Sequence, residues 1–162
     1  MGTRSRIGVM HGDNCKSVYC HWDGYLDYNG RILLENYDST KANFLVALGD
    51  ISSLGSEIGE KHDFDVRFTE GAIGKNWTKF YGRDRGEKNT EFKTTDTFEK
   101  FVELCDDCDA EYYYIMRDGE WFVGTTYGSD DKLGGKLVPL AEALAEEDIE
   151  RDEIANVTVD AL

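Results

Sequence analysis

The sequence predicts an α+β fold in which an antiparallel sheet, built from β-hairpins, carries helices packed against it. Two observations favour hairpins: the Asp118-Gly119 turn between two strand-like segments, and an alternating pattern over residues 4–23. A third favours helices, because apolar side chains recur at helical spacing from residue 98 to residue 105. We therefore expect an α+β domain over residues 1–136, followed by an acidic amphipathic helix over residues 137–162.

The first hairpin contains the chemically dense stretch SVYCHWDGY, residues 17–25. Asp13-Asn14 suits a tight turn because both residue types tolerate positive φ. That turn places one set of side chains toward the core, pairing Val9 with Val18, Ile7 with Cys20, and Ser5 with Trp22. The other side then pairs Gly8 with Tyr19, Arg6 with His21, and Arg4 with Asp23. A slip of one residue would invert the two sides.

The middle of the chain alternates between helical and extended patterns. Asn29-Gly30 precedes a short helix over residues 31–37, with Leu33 and Tyr37 on one face. Asp38-Ser39 is suited to cap a second helix, which Gly49 ends. The remaining expectations are an irregular loop over residues 51–63 and strands over residues 64–69, 77–82 and 91–95.

The last third has the clearest signals. Asp96 and Glu99 suit a capping box, and the apolar stripe behind it is Phe98, Phe101, Val102 and Cys105. The Asp118-Gly119 turn places Met116 opposite Trp121, Tyr114 opposite Val123, and Arg117 opposite Glu120. The expected stripe of the acidic helix is Leu140, Ala141, Leu144, Ala145 and Ile149.

The net charge of −15, from 33 acids and 18 bases, argues against general binding to the nucleic-acid backbone, and we expect no direct nucleic-acid binding. An acidic surface is common in soluble proteins, and an acidic decoy that imitates DNA is a second explanation. No apolar run reaches the length of about 20 residues that spans a bilayer, and no signal peptide is visible. We expect a cytoplasmic protein with reduced thiols, no cofactor and no membrane association.

The four cysteines raise two further hypotheses. Cys105 and Cys108 flank two aspartates at the end of a predicted helix, where both the dipole and the carboxylates disfavour a thiolate. This position argues against redox chemistry. A zinc site from Cys15, Cys20, Cys105 and Cys108, with His11 or His21, is the weaker alternative to ordinary buried thiols.

Two basic and aromatic clusters interrupt the acidic trend. The first hairpin contributes Arg4, Arg6, Tyr19, His21 and Asp23, and the segment FYGRDRGE contributes Tyr81, Arg83 and Arg85. Guanidinium groups beside aromatic rings suit planar phosphorylated ligands. Ordinary surface ion pairs explain the same residues, with Arg4 on Asp23 and the two later arginines on Asp84 and Glu87.

The sequence contains no nucleophile elbow, phosphate-binding loop or zinc-protease motif. The segments GTRSRIGV, YCHWDGY, ALGDISSLG, FYGRDRGE and EYYYIMRDGEW, in this order over residues 2–127, resemble a family of small uncharacterised proteins of tailed bacteriophages and related mobile elements. The resemblance implies a phage context and no catalytic residues, and it leaves the acidic end uncovered.

The leading hypothesis is a non-enzymatic phage protein that inhibits a host process, as an anti-defence or takeover factor, by binding a host protein. The alternatives are a sponge for a nucleotide second messenger, an enzyme acting on a small phosphorylated or nucleotide substrate with His21 as acid or base, and an acidic DNA-mimicking decoy.

Overall fold

The computed structural model describes residues 2–65, 76–126 and 136–160, with backbone alone for residues 155–160. The strands are β1 (Ser5–His11), β2 (Asn14–Cys20), β3 (Ile51–Ser53), β4 (Lys79–Phe80), β5 (Lys93–Thr95), β6 (Tyr112–Arg117), β7 (Glu120–Thr125) and β8 (Val138–Pro139). The helices are α1 (Arg31–Asn36), α2 (Ser39–Ala47), α3 (Tyr81–Arg85), α4 (Phe98–Asp107) and α5 (Leu140–Asp160), and a π-helical turn (Leu26–Gly30) precedes α1.

The described strands form one sheet in the order β4-β3-β2-β1-β6-β7-β8, and β5 pairs with β2 beside β3. Most neighbours are antiparallel, which confirms the predicted α+β class. The two hairpins meet through a parallel pairing of β1 with β6, from Ser5 opposite Tyr112 to Met10 opposite Arg117. This long-range pairing builds one continuous sheet from the two halves of the chain.

The second hairpin has the predicted register, with Met116 opposite Trp121 and Arg117 opposite Glu120. Asp118 and Gly119 have φ values of 53° and 79°, as a turn with two left-handed residues requires.

The predicted register of the first hairpin is wrong by two residues. The turn uses Gly12 and Asp13, so that His11 pairs with Asn14 and Ile7 pairs with Val18. Gly12 has a φ of 62° and no neighbour within 4 Å of a Cβ at that position, so it adopts the left-handed conformation freely. A shift of two preserves the alternation of faces, and Val18 and Cys20 remain in the core as predicted.

The sheet has a hydrophobic core on each face. The main core lies under α1, α2 and α5 and includes Ile7, Val18, Leu33, Leu45, Tyr114 and Leu140. The second core lies under α4, where the predicted stripe residues Phe101 and Cys105 pack on Tyr113 and Ile115. Phe98 and Val102 are partly buried beside them, which confirms the apolar stripe of this helix.

Three predicted local elements need correction. Ile51–Ser53 forms β3, parallel to β2, where an irregular loop was expected. The strand expected over residues 77–82 is shorter, because Tyr81 begins α3. Helix α4 is capped by Thr97, whose side chain accepts from the backbone N–H of Lys100, and not by Asp96.

Asp38 caps α2 as predicted, and its carboxylate accepts from the backbone N–H of Lys41 at 2.8 Å. The expected strand over residues 64–69 falls mainly outside the described residues. Its first two positions, Phe64 and Asp65, form a turn.

The acidic helix α5 presents a different face from the predicted one. Leu140 and Leu144 are buried as predicted, but Ile149 is 57% exposed. Ala141 and Ala145, which were expected in the core, are exposed, and Ala143 is buried instead. Residues 138–144, beyond the expected boundary at residue 136, belong to the sheet and the main core. In the part of the chain that the structure describes, no helix is long and apolar enough to cross a membrane.

Candidate functional site

One end of the sheet presents polar and aromatic side chains on the same face as α4. Cys20 pairs with Ile51, Ile51 pairs with Phe80, and all three are buried in the main core. Side chains alternate along a strand, so their neighbours point to the other face. We call this surface the Tyr19 face, and it comprises Tyr19, His21, Asp50, Ser52, Tyr81 and Arg85.

Tyr19 and His21 form a hydrogen-bonded pair at the centre of the Tyr19 face. The phenol oxygen of Tyr19 lies 2.6 Å from Nδ1 of His21. Burial raises the pKa of Tyr19 to about 12, against an opposing effect of the Arg4 charge. The phenol therefore stays protonated, and the tautomer of His21 decides which of the two groups donates.

Tyr81 belongs to a stack at the edge of the Tyr19 face. Its ring stacks on Phe64 with centroids 5.7 Å apart, and the guanidinium of Arg85 lies 4.8 Å from the Tyr81 centroid and 4.6 Å from that of Phe64. Arg85 also pairs with Glu87. The side chain of Arg85 is 48% exposed, so this cation remains accessible to a partner.

Asp50 and Ser52 connect the two parts of the Tyr19 face. The carboxylate of Asp50 accepts the backbone N–H of Tyr19 at 2.9 Å, and its carbonyl accepts the N–H of Tyr81. Burial raises the pKa of Asp50. Burial also raises the pKa of Tyr81, and the neighbouring Ser52 side chain opposes this effect. The sequence analysis missed both residues, because only the pairing of β3 with β2 brings them to this face.

The two arginines of the first hairpin have different environments. Arg4 is 41% exposed in its side chain and pairs with Asp109 at 3.3 Å, so the predicted pair with Asp23 is wrong. Its charge helps to lower the pKa of His21, after the larger effect of burial. Arg6 is only 2% exposed and donates to the hydroxyl and the carbonyl oxygen of Ser17. Arg4 can reach a ligand, whereas Arg6 supports the sheet.

Asp23 and Trp22 lie at the turn that follows β2. Asp23 adopts a φ of 57°, and its carbonyl accepts the N–H of Asn29. Trp22 is 43% exposed, so its predicted place in the core is wrong. Its indole meets the imidazole of His21 edge to face, with ring centroids 4.6 Å apart, and so extends the aromatic surface beyond the end of β2.

Arg83 is an anchor for the loop beside it. Its guanidinium donates to the carbonyl oxygens of Ile58, Gly59 and Thr78 and to the carboxylate of Asp84. The side chain is 12% exposed. These contacts use its donors internally, so FYGRDRGE contributes Tyr81 and Arg85 to the Tyr19 face but not Arg83.

The cysteines lie on both sides of the sheet. Cys15 and Cys105 are buried in the second core, and Cys108 lies 3.9 Å from a guanidinium nitrogen of Arg6. Cys20 lies in the main core, where burial raises its pKa to about 12. The sheet therefore separates Cys20 from the other three, and no group of three potential metal ligands occurs among the described residues.

Comparisons with protein-family models, with curated proteins and with solved structures found no match to this chain. The functional proposal therefore depends on the geometry of the Tyr19 face.

The environment of His21 predicts a pH dependence of stability. Because its pKa is lowered in the folded chain, the unfolded chain binds a proton more readily below about pH 6.5. At high pH, where His21 is neutral in both states, it does not reduce the free energy of unfolding. As the pH falls through about 6.5, proton binding to the unfolded chain reduces that free energy increasingly. We expect His21→Gln to lose less stability than the parent chain between about pH 7.5 and pH 5, measured by thermal unfolding. Equal losses in the two proteins would contradict this environment.

Proposed function

We propose that this chain is a non-enzymatic binding protein of phage origin that inhibits a host process by binding a host protein through the Tyr19 face. The observation that carries the proposal is the group of partly buried Tyr19, His21 and Tyr81 with the exposed Arg85 at one end of the sheet. Tyrosine, tryptophan and arginine are the residue types that dominate binding energy at protein interfaces.

The shape of the face suits a macromolecular partner. Its side chains come from β2 and β3, from the residues directly beside these strands, and from α3, so together they offer a broad contact area. Trp22 continues this area, because its half-exposed indole contacts His21. A protein partner can cover such a surface, and the aromatic rings supply most of the buried area.

The face is also organised before binding. Tyr19 is held by His21 and by the carboxylate of Asp50, and Arg85 is held by the two rings beneath it. Side chains that are already ordered lose little conformational entropy when a partner binds. Arg4 and Arg85 flank the aromatic centre with exposed charge, which favours a partner with carboxylates at matching positions.

The test is the double variant Tyr19→Ala/Tyr81→Ala, with Tyr25→Ala as its control. Tyr25 is 42% exposed and lies after the turn, outside the Tyr19 face. The parent chain is expected to retain a stoichiometric host protein from lysate, and the double variant to bind the purified partner at least about 30-fold more weakly. Tyr25→Ala should bind as the parent does, and circular dichroism should show all three chains folded.

Two results would overturn the proposal. One is a host lysate that yields no stoichiometric partner. The other is a partner that binds the folded double variant and the parent with equal affinity, since it would then contact another surface.

The second candidate function, a sponge for a nucleotide second messenger, is favoured by the stacked Tyr81 ring with Arg85 above it. Arginine can bind phosphate bidentately while an aromatic ring stacks a base. In calorimetry with cyclic nucleotides and ADP-ribose derivatives, saturable heat that Arg85→Ala removes would support it. Silence across the panel would eliminate it.

A further inference from the structure

Cys108 differs from the other cysteines in its exposure. It lies at the carboxyl end of α4 and is partly exposed, whereas the other three are completely buried. They are Cys15, Cys20 and Cys105. Burial raises the pKa of Cys15 and of Cys20 to about 12, and it also raises the pKa of Cys105. These three thiols therefore stay protonated and away from solvent, and Cys108 is the thiol that a small reagent can meet.

The sulphur of Cys108 faces the buried guanidinium of Arg6. Arg6 is 2% exposed, and its Nε and Nη2 donate to the hydroxyl and the carbonyl oxygen of Ser17, each at 3.0 Å. Its third nitrogen, Nη1, has one acceptor within the described part of the chain, the sulphur of Cys108 at 3.9 Å. All these acceptors are neutral groups, although a buried charge normally has a counter-charge. Nη1 is therefore a buried cationic donor that lacks an oxygen acceptor.

The distance between Nη1 and the sulphur suits an intervening oxygen atom. An N–H···O hydrogen bond spans about 2.9 Å. At 3.9 Å from Nη1 the sulphur itself is a weak acceptor, but an oxygen atom bonded to it can lie at hydrogen-bond distance. Hydrogen bonds from a guanidinium to an oxygen with negative charge are among the strong ones. This environment therefore favours a sulphur that carries an oxygen over the free thiol.

We propose that Cys108 is a site of oxidation by hydroperoxides, and that Arg6 holds the oxygen of the resulting sulfenic acid. An electron pair of the sulphur attacks one oxygen of the hydroperoxide, so that an S–O bond forms as the O–O bond breaks. The thiol proton passes to the departing oxygen, which leaves as water or as an alcohol. The sulphur loses two electrons, and the peroxide gains them.

The role of Arg6 depends on the fold. The aspartates and the helix end around Cys108 disfavour a thiolate, but β1 brings a guanidinium to the sulphur from a distant part of the chain. After burial, which has the largest effect, Cys108 is among the groups that raise the pKa of Tyr19, so oxidation changes the charge beside the Tyr19 face. The proposal does not rest on the proposed function, because the covalent change is measured on the chain alone.

The test treats the reduced chain with hydrogen peroxide and traps sulfenic acid with dimedone. Mass spectrometry of the intact chain and of its peptides counts the adducts and locates them. We expect one adduct, on Cys108, and none on the buried cysteines, and Cys108→Ser should give none. Adding dimedone at increasing delays after catalase has removed the peroxide measures the lifetime of the sulfenic acid.

The matched variants Arg6→Gln and Lys100→Gln test the guanidinium. The first removes the charge that faces the sulphur, and it should shorten this lifetime by at least about fivefold. Lys100 is exposed and lies toward the other end of α4, so the second should leave the lifetime unchanged. Circular dichroism shows whether each variant is folded. If Arg6→Gln does not fold, the Nε–H resonance of Arg6 replaces it, and this resonance should shift on oxidation of the parent but not of Cys108→Ser.

Four results would overturn the proposal. Cys108 stays reduced, whether or not another cysteine is labelled. A disulfide between Cys105 and Cys108 forms in place of the dimedone adduct. Folded Arg6→Gln keeps the lifetime of the parent, or the Arg6 resonance does not move when the parent is oxidised.

Discussion

Replacing Asp84 by alanine is expected to destabilise the folded chain by about 3–5 kcal/mol. The Asp84 side chain is fully buried and forms an ion pair with Arg83, at 2.9 Å between the carboxylate and Nε. It also accepts the backbone N–H groups of Phe80 at 2.8 Å and His62 at 3.1 Å. Alanine leaves these two amides without acceptors and leaves the Arg83 guanidinium without its counter-charge.

Urea unfolding measures the effect, and a double-mutant cycle assigns it. Arg83→Met/Asp84→Ala removes both charges, so it should be less destabilised than the sum of the two single variants. Asp84→Asn keeps one acceptor oxygen and should lie between the parent and Asp84→Ala. A loss below about 1 kcal/mol for Asp84→Ala would show that this buried pair does not hold the loop around Ile58 and Gly59.

Replacing Phe101 by alanine is expected to cost about 3–5 kcal/mol, because it empties the centre of the second core. Phe101 is completely buried, and its ring meets Tyr113 edge to face with centroids 5.5 Å apart. Phe101 and Cys105 are the buried residues through which α4 packs on the sheet. Loss of this ring therefore removes the main attachment of the helix.

Phe44→Ala is the matched control on α2. Its side chain is 64% exposed, so the same substitution there should change the free energy of unfolding by about 0.5 kcal/mol or less. Chemical denaturation of both variants gives the comparison. Equal stabilities would mean that α4 does not depend on the second core.

The sequence was most informative where local chemistry determines backbone conformation. Asp118-Gly119 gave the right register because a two-residue turn with both φ values positive allows one pairing of its flanks. The first hairpin offered Gly12, Asp13 and Asn14, all tolerant of positive φ. The pattern could not choose between two turns that start one residue apart and whose strand pairings differ by two residues. Since such a shift preserves the two faces, the expected exposure of Tyr19 and His21 did not depend on the choice.

The candidate site was less predictable, because its parts come from distant segments. Tyr81 joins Tyr19 only through β3, a three-residue strand whose sequence, Ile-Ser-Ser, is too short for an alternation signal. Arg83 and Arg85 are the same residue type, two positions apart in the sequence. Packing nevertheless places the guanidinium of Arg83 on backbone carbonyl oxygens and leaves that of Arg85 open to solvent. In α5, Asp148 pairs with Arg31 at 2.8 Å and Arg151 pairs with Asp27 at 3.0 Å. These ion pairs join the helix to α1 and to the turn before it, which the apolar pattern of the helix alone does not indicate.

The parallel pairing of β1 with β6 has a consequence for how the chain is made. Ser5 and Tyr112 are paired across more than a hundred intervening residues, so the central pairing of the sheet closes late and is entropically costly to form. During synthesis the first hairpin leaves the ribosome with one edge of β1 unpaired. That edge remains unpaired until β6 has been synthesised. The second hairpin therefore covers the open edge of β1, and β8 joins β7 after it.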